Sequence, residues 1–297
     1  MNTKDVSLEI INAIDRVYQG KKEKPISKNL GDQHSNPISE LITPEWQYSD
    51  SIKFLDSTPI DWNSLGEPEP SLISTIAENL DNTRILDGIV GTEFERSFCS
   101  WYQPYHYLPR EKWGIHIRYD SWSRIASLFY RNCPSVINMR LESVKSAFLY
   151  LFIHELFHHI VENAGSILEI ILDKPNIYTK YYTDVYSHEF NTYNCLEEAL
   201  SNRYLLEWAE ECHIDRNFLK EELLKQGPGY RNFIQYDGSN FLMGNRILIC
   251  QIRYGTTNTA AIHYDPIDQI MDVSNPILYS SSHNVPLWLH RKAKPVY

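Results

Sequence analysis

The sequence predicts an α+β protein, mostly helical, with a small sheet whose edge strand precedes the longest helix. Three observations carry this. Two aromatic and β-branched runs, Trp101–Tyr107 and Trp113–Tyr119, alternate with period two and read as strands joined by a turn at Pro109–Lys112. The stretch Leu141–Asn163 is apolar nearly all round, the signature of a helix buried on most faces. A third stretch, Leu196–Glu211, places Leu196, Ala199, Leu200, Tyr204, Leu205 and Trp208 on one helical stripe. At 297 residues with 42% hydrophobic and 22% charged residues, the chain can bury a sizeable core and has an ordinary globular composition.

Taken in order, Asp5–Tyr18 reads as a short amphipathic helix stopped by Gly20. Lys21–Pro70 is polar and punctuated by six prolines, an irregular segment with short elements near Leu41 and Ile52–Leu55. Ser71–Asn79 reads as a helix, and Ile85–Phe98 as mixed helix and turn. After the two strands, Asp120 or Ser121 is expected to cap a helix that ends at Asn132-Cys133-Pro134. The long helix is expected to end at Gly165 as its C-terminal cap, with a further helical run at Ser166–Leu172. Tyr178–Tyr193 reads as a tyrosine-rich polar connection. Helices follow at Arg216–Lys225, stopped by Gly227-Pro228-Gly229, and at Asn240–Ile252, interrupted at Gly244. A last short strand is expected at Val285–His290. The organisation is an accessory segment over 1–80, a core over 81–212 and a C-terminal helical region and tail over 213–297.

Net charge is −10 and the pI about 5.6, with no basic block, which argues against a nucleic-acid partner. The five cysteines, Cys99, Cys133, Cys195, Cys212 and Cys250, are odd in number and widely spaced, with no C-x-x-C. They read as reduced thiols, which points to a cytoplasmic location and away from a thiolate metal site. The first apolar run is broken by Asp5, Glu9 and Asp15, unlike a signal peptide, and no apolar stretch is long enough to span a membrane.

The chemistry concentrates in the long helix, in His154-Glu155-Leu156-Phe157-His158. Two imidazoles four residues apart lie on one helical face, the spacing at which both can hold one Zn²⁺ with Glu155 beside them as general base. A catalytic zinc takes a third protein ligand and leaves a position for water. On the third helix Glu198 and Asn202 are four apart, again on one face.

The pair H-E-L-F-H and E-x-x-x-N resembles the gluzincin class of zinc metallopeptidases. The E-x-x-S-N form is also similar to small intracellular metallopeptidases related to phage-repressor-cleaving proteins. The resemblance covers roughly Trp101–Trp208 and implies a minimal zincin fold, with Gly114–Arg118 as the edge strand lining the cleft. It implies His154, His158 and Glu198 as zinc ligands, with Asn202 bonding a ligand histidine. Glu198 is preferred to Glu197 because only Glu198 has an Asn at +4. Glu155 would take a proton from attacking water and pass it to the leaving amine. An oxyanion donor is also expected; Tyr193, Arg253, His263 and Tyr264 are candidates by residue type. His159 lies off the ligand face and reads as a polar neighbour or substrate-side residue. Glu162 reads either as a support for His158 or as a surface residue near the helix end. The interval from His158 to Glu198 is longer than in thermolysin, and 166–193 is expected to roof the cleft.

The activity implied is peptide-bond hydrolysis of restricted specificity on a protein or peptide substrate, in a regulatory or defence role and with a possible regulatory protein partner. The competing expectations are a non-catalytic binding module on the same scaffold and a zinc amidohydrolase of non-peptide substrates.

Overall fold

The computed structural model describes residues 51–54, 59–61, 76–78, 99–107, 113–132, 140–209, 214–258, 285 and 287–290. These residues form a mostly helical α+β structure with a small mixed sheet. The strands are β1 (Ser51–Phe54), β2 (Pro59–Asp61), β3 (Ser100–Gln103), β4 (Gly114–Arg118) and β5 (Leu287–His290). The helices are α1 (Tyr119–Asn132), α2 (Arg140–Ile171), α3 (Ile177–Tyr181), α4 (Ser187–Glu189), α5 (Leu196–Glu207), α6 (Arg216–Leu224) and α7 (Ser239–Tyr254). A π-helical turn, Tyr182–Tyr186, joins α3 to α4, and a 3₁₀ segment, Tyr230–Tyr236, precedes α7. The expected helix Asp5–Tyr18, the element near Leu41 and the segment Ile85–Phe98 lie outside the described residues. Of Ser71–Asn79, one helical turn at 76–78 is described.

The sheet order is β2-β1-β5-β4-β3. β4 pairs antiparallel with β3 and parallel with β5. Gly114–Arg118 is therefore an inner strand, and among the described residues the edge on this side is β3. The sequence places β5 far from β4, so nothing local announces the pairing that takes β4 off the edge. Period-two alternation sets the two faces. Ile115 and Ile117 are fully buried in the core, while His116 stacks between Trp101 and Trp288 on either side, with ring centroids 4.8 and 5.7 Å away. The sheet draws strands from all three of the segments 1–80, 81–212 and 213–297.

Helix α2 runs well past its expected end at Gly165. The glycine is there for approach rather than termination: a Cβ on it would lie 2.7 Å from the Cβ of Tyr178, on α3. Gly165 and Ser166–Ile171 thus belong to one helix with the motif. Gly244 behaves similarly. Helix α7 passes through it unbroken, and an added Cβ would meet Tyr236 at 2.7 Å and Leu200 at 2.8 Å. Tyr178–Tyr193, expected as a polar connection, is largely helical. Tyr178, Tyr181 and Val185 are buried, and the tyrosines at 178, 182 and 186 recur at helical spacing. Helix α1 starts at Tyr119, so Asp120 sits in its first turn instead of capping it. Asp215 caps α6, accepting from the Phe218 N–H at 2.8 Å.

The core lies between the sheet and α2, with α1 and α5 packed against α2. Of the twelve residues of α5, only Glu207 is not buried. Helix α7 packs against α3 and α5, and the 3₁₀ segment packs on α5. No helix among the described residues is long and apolar enough to cross a membrane.

Candidate metal centre

Helix α2 presents His154, Glu155 and His158 to α5, which presents Glu197, Glu198, Ser201 and Asn202 in return. Each of these side chains is largely or wholly buried, so each needs a partner. Neighbouring helical residues point about 100° apart, and the two carboxylates accordingly reach different atoms. Glu198 Oε2 lies 3.2 Å from His154 Nε2 and 3.6 Å from His158 Nε2. Glu197 approaches His158 from behind, with Oε1 2.6 Å from Nδ1, and accepts from the Tyr181 hydroxyl through Oε2.

The protons on the two imidazoles can be placed from their partners. His158 Nδ1 faces a carboxylate, which only accepts, so this nitrogen carries a proton. His154 Nδ1 lies 2.9 Å from Asn202 Oδ1. The Asn202 amide is oriented with its nitrogen donating to Gln226 Oε1 at 2.5 Å and to the Tyr230 carbonyl at 2.9 Å, which turns its oxygen toward His154. In the neutral rings both Nε2 atoms then carry lone pairs, and both point at Glu198 Oε2. Tyr186 donates to Glu198 Oε1 at 2.6 Å, but the buried Oε2 makes no hydrogen bond. Three electron-pair donors converge where a hydrogen-bonding account leaves one carboxylate oxygen orphaned. A cation satisfies that arrangement, and the three ligand atoms lie within 4.8 Å of one another.

Without a metal, the electrostatics show the same demand for positive charge, met there by protons on the rings. Burial alone would raise the pKa of Glu198, but His158 and His154 hold it well below the carboxylate range. Burial opposes charge on His158, yet Glu198 and Glu197 outweigh it and push its pKa well above the ordinary value. The pocket favours positive charge between the carboxylate and the rings. Glu155 behaves differently. Burial raises its pKa, with His154, His158 and Ser100 pulling the other way. Ser100, on β3, donates to its Oε1 at 2.7 Å.

The structure brings His154, Glu155, His158, Glu198 and Asn202 together. It places Glu197 behind His158 and gives it no part in the converging group. Glu162 is fully buried, contrary to a surface position. It accepts from the Tyr102 hydroxyl, the N–H groups of Tyr105 and His106, and His106 Nδ1 at 2.6 Å. His159 is a buried neighbour of this second group, between Tyr102 and Asn163, and burial lowers its pKa to about 3. Tyr193 is exposed and engaged by Arg231, and Arg253 stacks over Tyr254, so neither joins the ligand group. His263 and Tyr264 lie outside the described residues.

Sequence reasoning passed over Ser100, Tyr181, Tyr186, Gln226 and Tyr230, and took Ser201 only as part of the E-x-x-S-N form. Ser201 Oγ lies 3.1 Å from His154 Nδ1, and the Tyr230 ring stacks on His154 with centroids 5.8 Å apart. The helical spacing of the tyrosines could have placed Tyr186 on one face with Tyr178 and Tyr182, but Tyr181, five residues before Tyr186, falls off that face. Nothing local marks Ser100, Gln226 or Tyr230.

Comparison with family models, with curated proteins and with solved structures finds no significant match. The molecule is therefore defined by its own geometry: an α+β protein in which two packed helices gather a His–His–Glu group able to hold a metal ion.

Proposed function

We propose that this chain is a zinc-dependent metallopeptidase on a minimal zincin fold, in which His154, His158 and Glu198 hold zinc and Glu155 is the general base. The observation that carries the reading is the convergence of two imidazole lone pairs on an orphaned, buried carboxylate oxygen. Two nitrogens and one carboxylate suit zinc, whereas calcium and magnesium favour oxygen donors. When bound, zinc would polarise the scissile carbonyl and lower the pKa of the attacking water.

The remaining work falls to the chain's own residues. Ser100 holds one oxygen of Glu155, which leaves the other to take the water proton and deliver it to the departing amine. The raised pKa of Glu155 suits a group that must hold that proton between the two steps. Glu197 and Asn202 keep the Nδ1 protons of the ligand histidines in place. The edge strand β3, which carries Ser100, supports a peptide substrate bound by strand addition, in place of the inner strand β4.

The test combines metal analysis with a peptide library. The expected outcome is about one zinc per chain and cleavage by the wild type, with Glu155→Gln keeping the metal and losing cleavage. Protein that takes up no zinc at neutral pH overturns the metal reading. Zinc uptake without cleavage of any peptide leaves a non-catalytic metal module or an amidohydrolase of other substrates.

A further inference from the structure

The residues that orient His154 do not end at Asn202. We infer that Gln226, in the turn after α6, is a positioning residue of the metal centre, acting on His154 through the Asn202 amide. This rests on the zinc reading above, but it concerns a residue outside the motif and outside the expected core over 81–212.

Asn202 is fully buried, and the two ends of its amide are nearly the same shape. Which end faces His154 nevertheless matters. With the oxygen there, His154 keeps its proton on Nδ1 and offers a lone pair from Nε2. With the nitrogen there, the favoured tautomer is reversed, and a proton sits on the nitrogen that faces Glu198. Shape cannot make this choice, so hydrogen bonding must. The Asn202 nitrogen has two N–H groups, and each has an acceptor: Gln226 Oε1 at 2.5 Å and the Tyr230 carbonyl at 2.9 Å.

The two acceptors do different things. The Tyr230 carbonyl can only accept, so it favours this polarity but does not fix it alone. Gln226 satisfies the second N–H, which would otherwise be buried without a partner. Gln226 is in turn held by Tyr150, its Nε2 donating to the Tyr150 hydroxyl at 2.8 Å. Tyr150 lies on α2, four residues before His154. The bonds close a ring that leaves α2 at Tyr150, passes through Gln226 and Asn202, and returns to α2 at His154. Residues 226 and 230 stand on either side of the Gly227-Pro228-Gly229 turn. The C-terminal region thus grips the amide that fixes a metal ligand.

The experiment measures zinc affinity by chelator competition and, in the metal-free full-length protein, the His154 tautomer by ring ¹⁵N–¹H correlation NMR. Removing a direct partner of a metal-bound histidine costs roughly 10- to 100-fold in affinity, and one bond farther out Gln226→Ala is expected to cost about 3- to 10-fold. The NMR spectrum of the same variant should show the His154 Nδ1–H, bonded to Asn202 in the wild type, weakened or shifted. Gln226→Glu is the rescuing variant. Its carboxylate accepts from Asn202 and from the Tyr150 hydroxyl alike, and position 226 is only part-buried, so the charge is tolerated. It should stay within about twofold of wild type with His154 unchanged.

Wild-type zinc affinity and an unchanged His154 in Gln226→Ala overturn the inference. Equal losses in both variants also overturn it, because a general loosening of the turn would not distinguish an acceptor from a methyl group. If the wild type takes no zinc, it is the metal reading that fails, and the His154 Nδ1–H signal in Gln226→Ala alone decides whether Gln226 positions the ring.

Discussion

Helix α2 carries two buried carboxylate–imidazole groups, and they end differently. Toward its middle, His154 and His158 meet Glu198, whose Oε2 is buried without a hydrogen bond. One turn farther on, Glu162 meets His106, and both Glu162 oxygens are filled by donors from β3 and the segment after it. Residue types and burial are alike in the two places. The difference is satisfaction. The Glu162 group is closed and fastens the edge strand and its following turn to the helix, while the Glu198 group leaves its donors converging on a point. Buried imidazole and carboxylate near one another therefore do not define a site; an unsatisfied atom where the donors converge does.

The comparison can be broken most sharply at Glu198. Glu198→Ala should abolish stoichiometric zinc, whereas Glu197→Ala, which frees a ligand histidine without removing a ligand, should weaken zinc roughly 10- to 100-fold. Zinc titration of both variants checks this, and the reverse order would make Glu197 the ligand. At the closed group the expectation is the opposite. Glu162→Ala leaves several buried donors unpaired, so it should cost about 3 kcal/mol or more of stability. Its zinc affinity at temperatures where it stays folded should match wild type. Urea unfolding with a parallel zinc titration reads both, and loss of zinc without loss of stability would erase the distinction.

A smaller effect is expected at Gly165, which lets α2 meet Tyr178, a residue whose ring packs on His106. Gly165→Ala should destabilise by about 1–3 kcal/mol through overpacking, measured by thermal or urea unfolding. A neutral or stabilising result would mean that Tyr178 moves aside freely.

The smallest effect is a pH dependence. Burial opposes charge on His106, but its hydrogen bond and attraction to Glu162, with Glu169 beyond, raise its pKa above the ordinary value near 6.5. A group whose folded pKa is raised stabilises fully below its unfolded pKa, and that contribution is lost as pH rises through the folded value. The wild type should therefore lose stability from slightly acid to alkaline pH by more than His106→Asn does. Unfolding curves across that range give the comparison, and parallel curves for the two proteins would remove His106 from the account.

Much of the helical framework was legible because helical periodicity is local. The stripe of α5, the apolar surround of α2 and the alternation of Ile115 and Ile117 all follow from neighbouring residues. What misled was a residue with two physical uses. Gly165 read as a stop and Gly244 as an interruption because glycine ends or weakens helices, but here each permits a close approach to a side chain on another element. Glu162 read as a possible surface residue because its donors, Tyr102, Tyr105 and His106, come from a different element.

The sequence by itself determined which candidate residues share a helix face, and the resemblance singled out Glu198 as the third ligand. The spacings of His154, His158, Glu198 and Asn202 are helical spacings, and a helix fixes which of its own residues share a face. The tertiary structure decided everything that needs two elements at once. It put β3 and not β4 at the edge, sent Glu197 to the back of His158, filled the oxygens of Glu162 and left Glu198 Oε2 without a hydrogen bond. It also brought Gln226 and Tyr230 to the Asn202 amide. A periodic pattern says which way a side chain leaves its helix, but only packing says what it finds there.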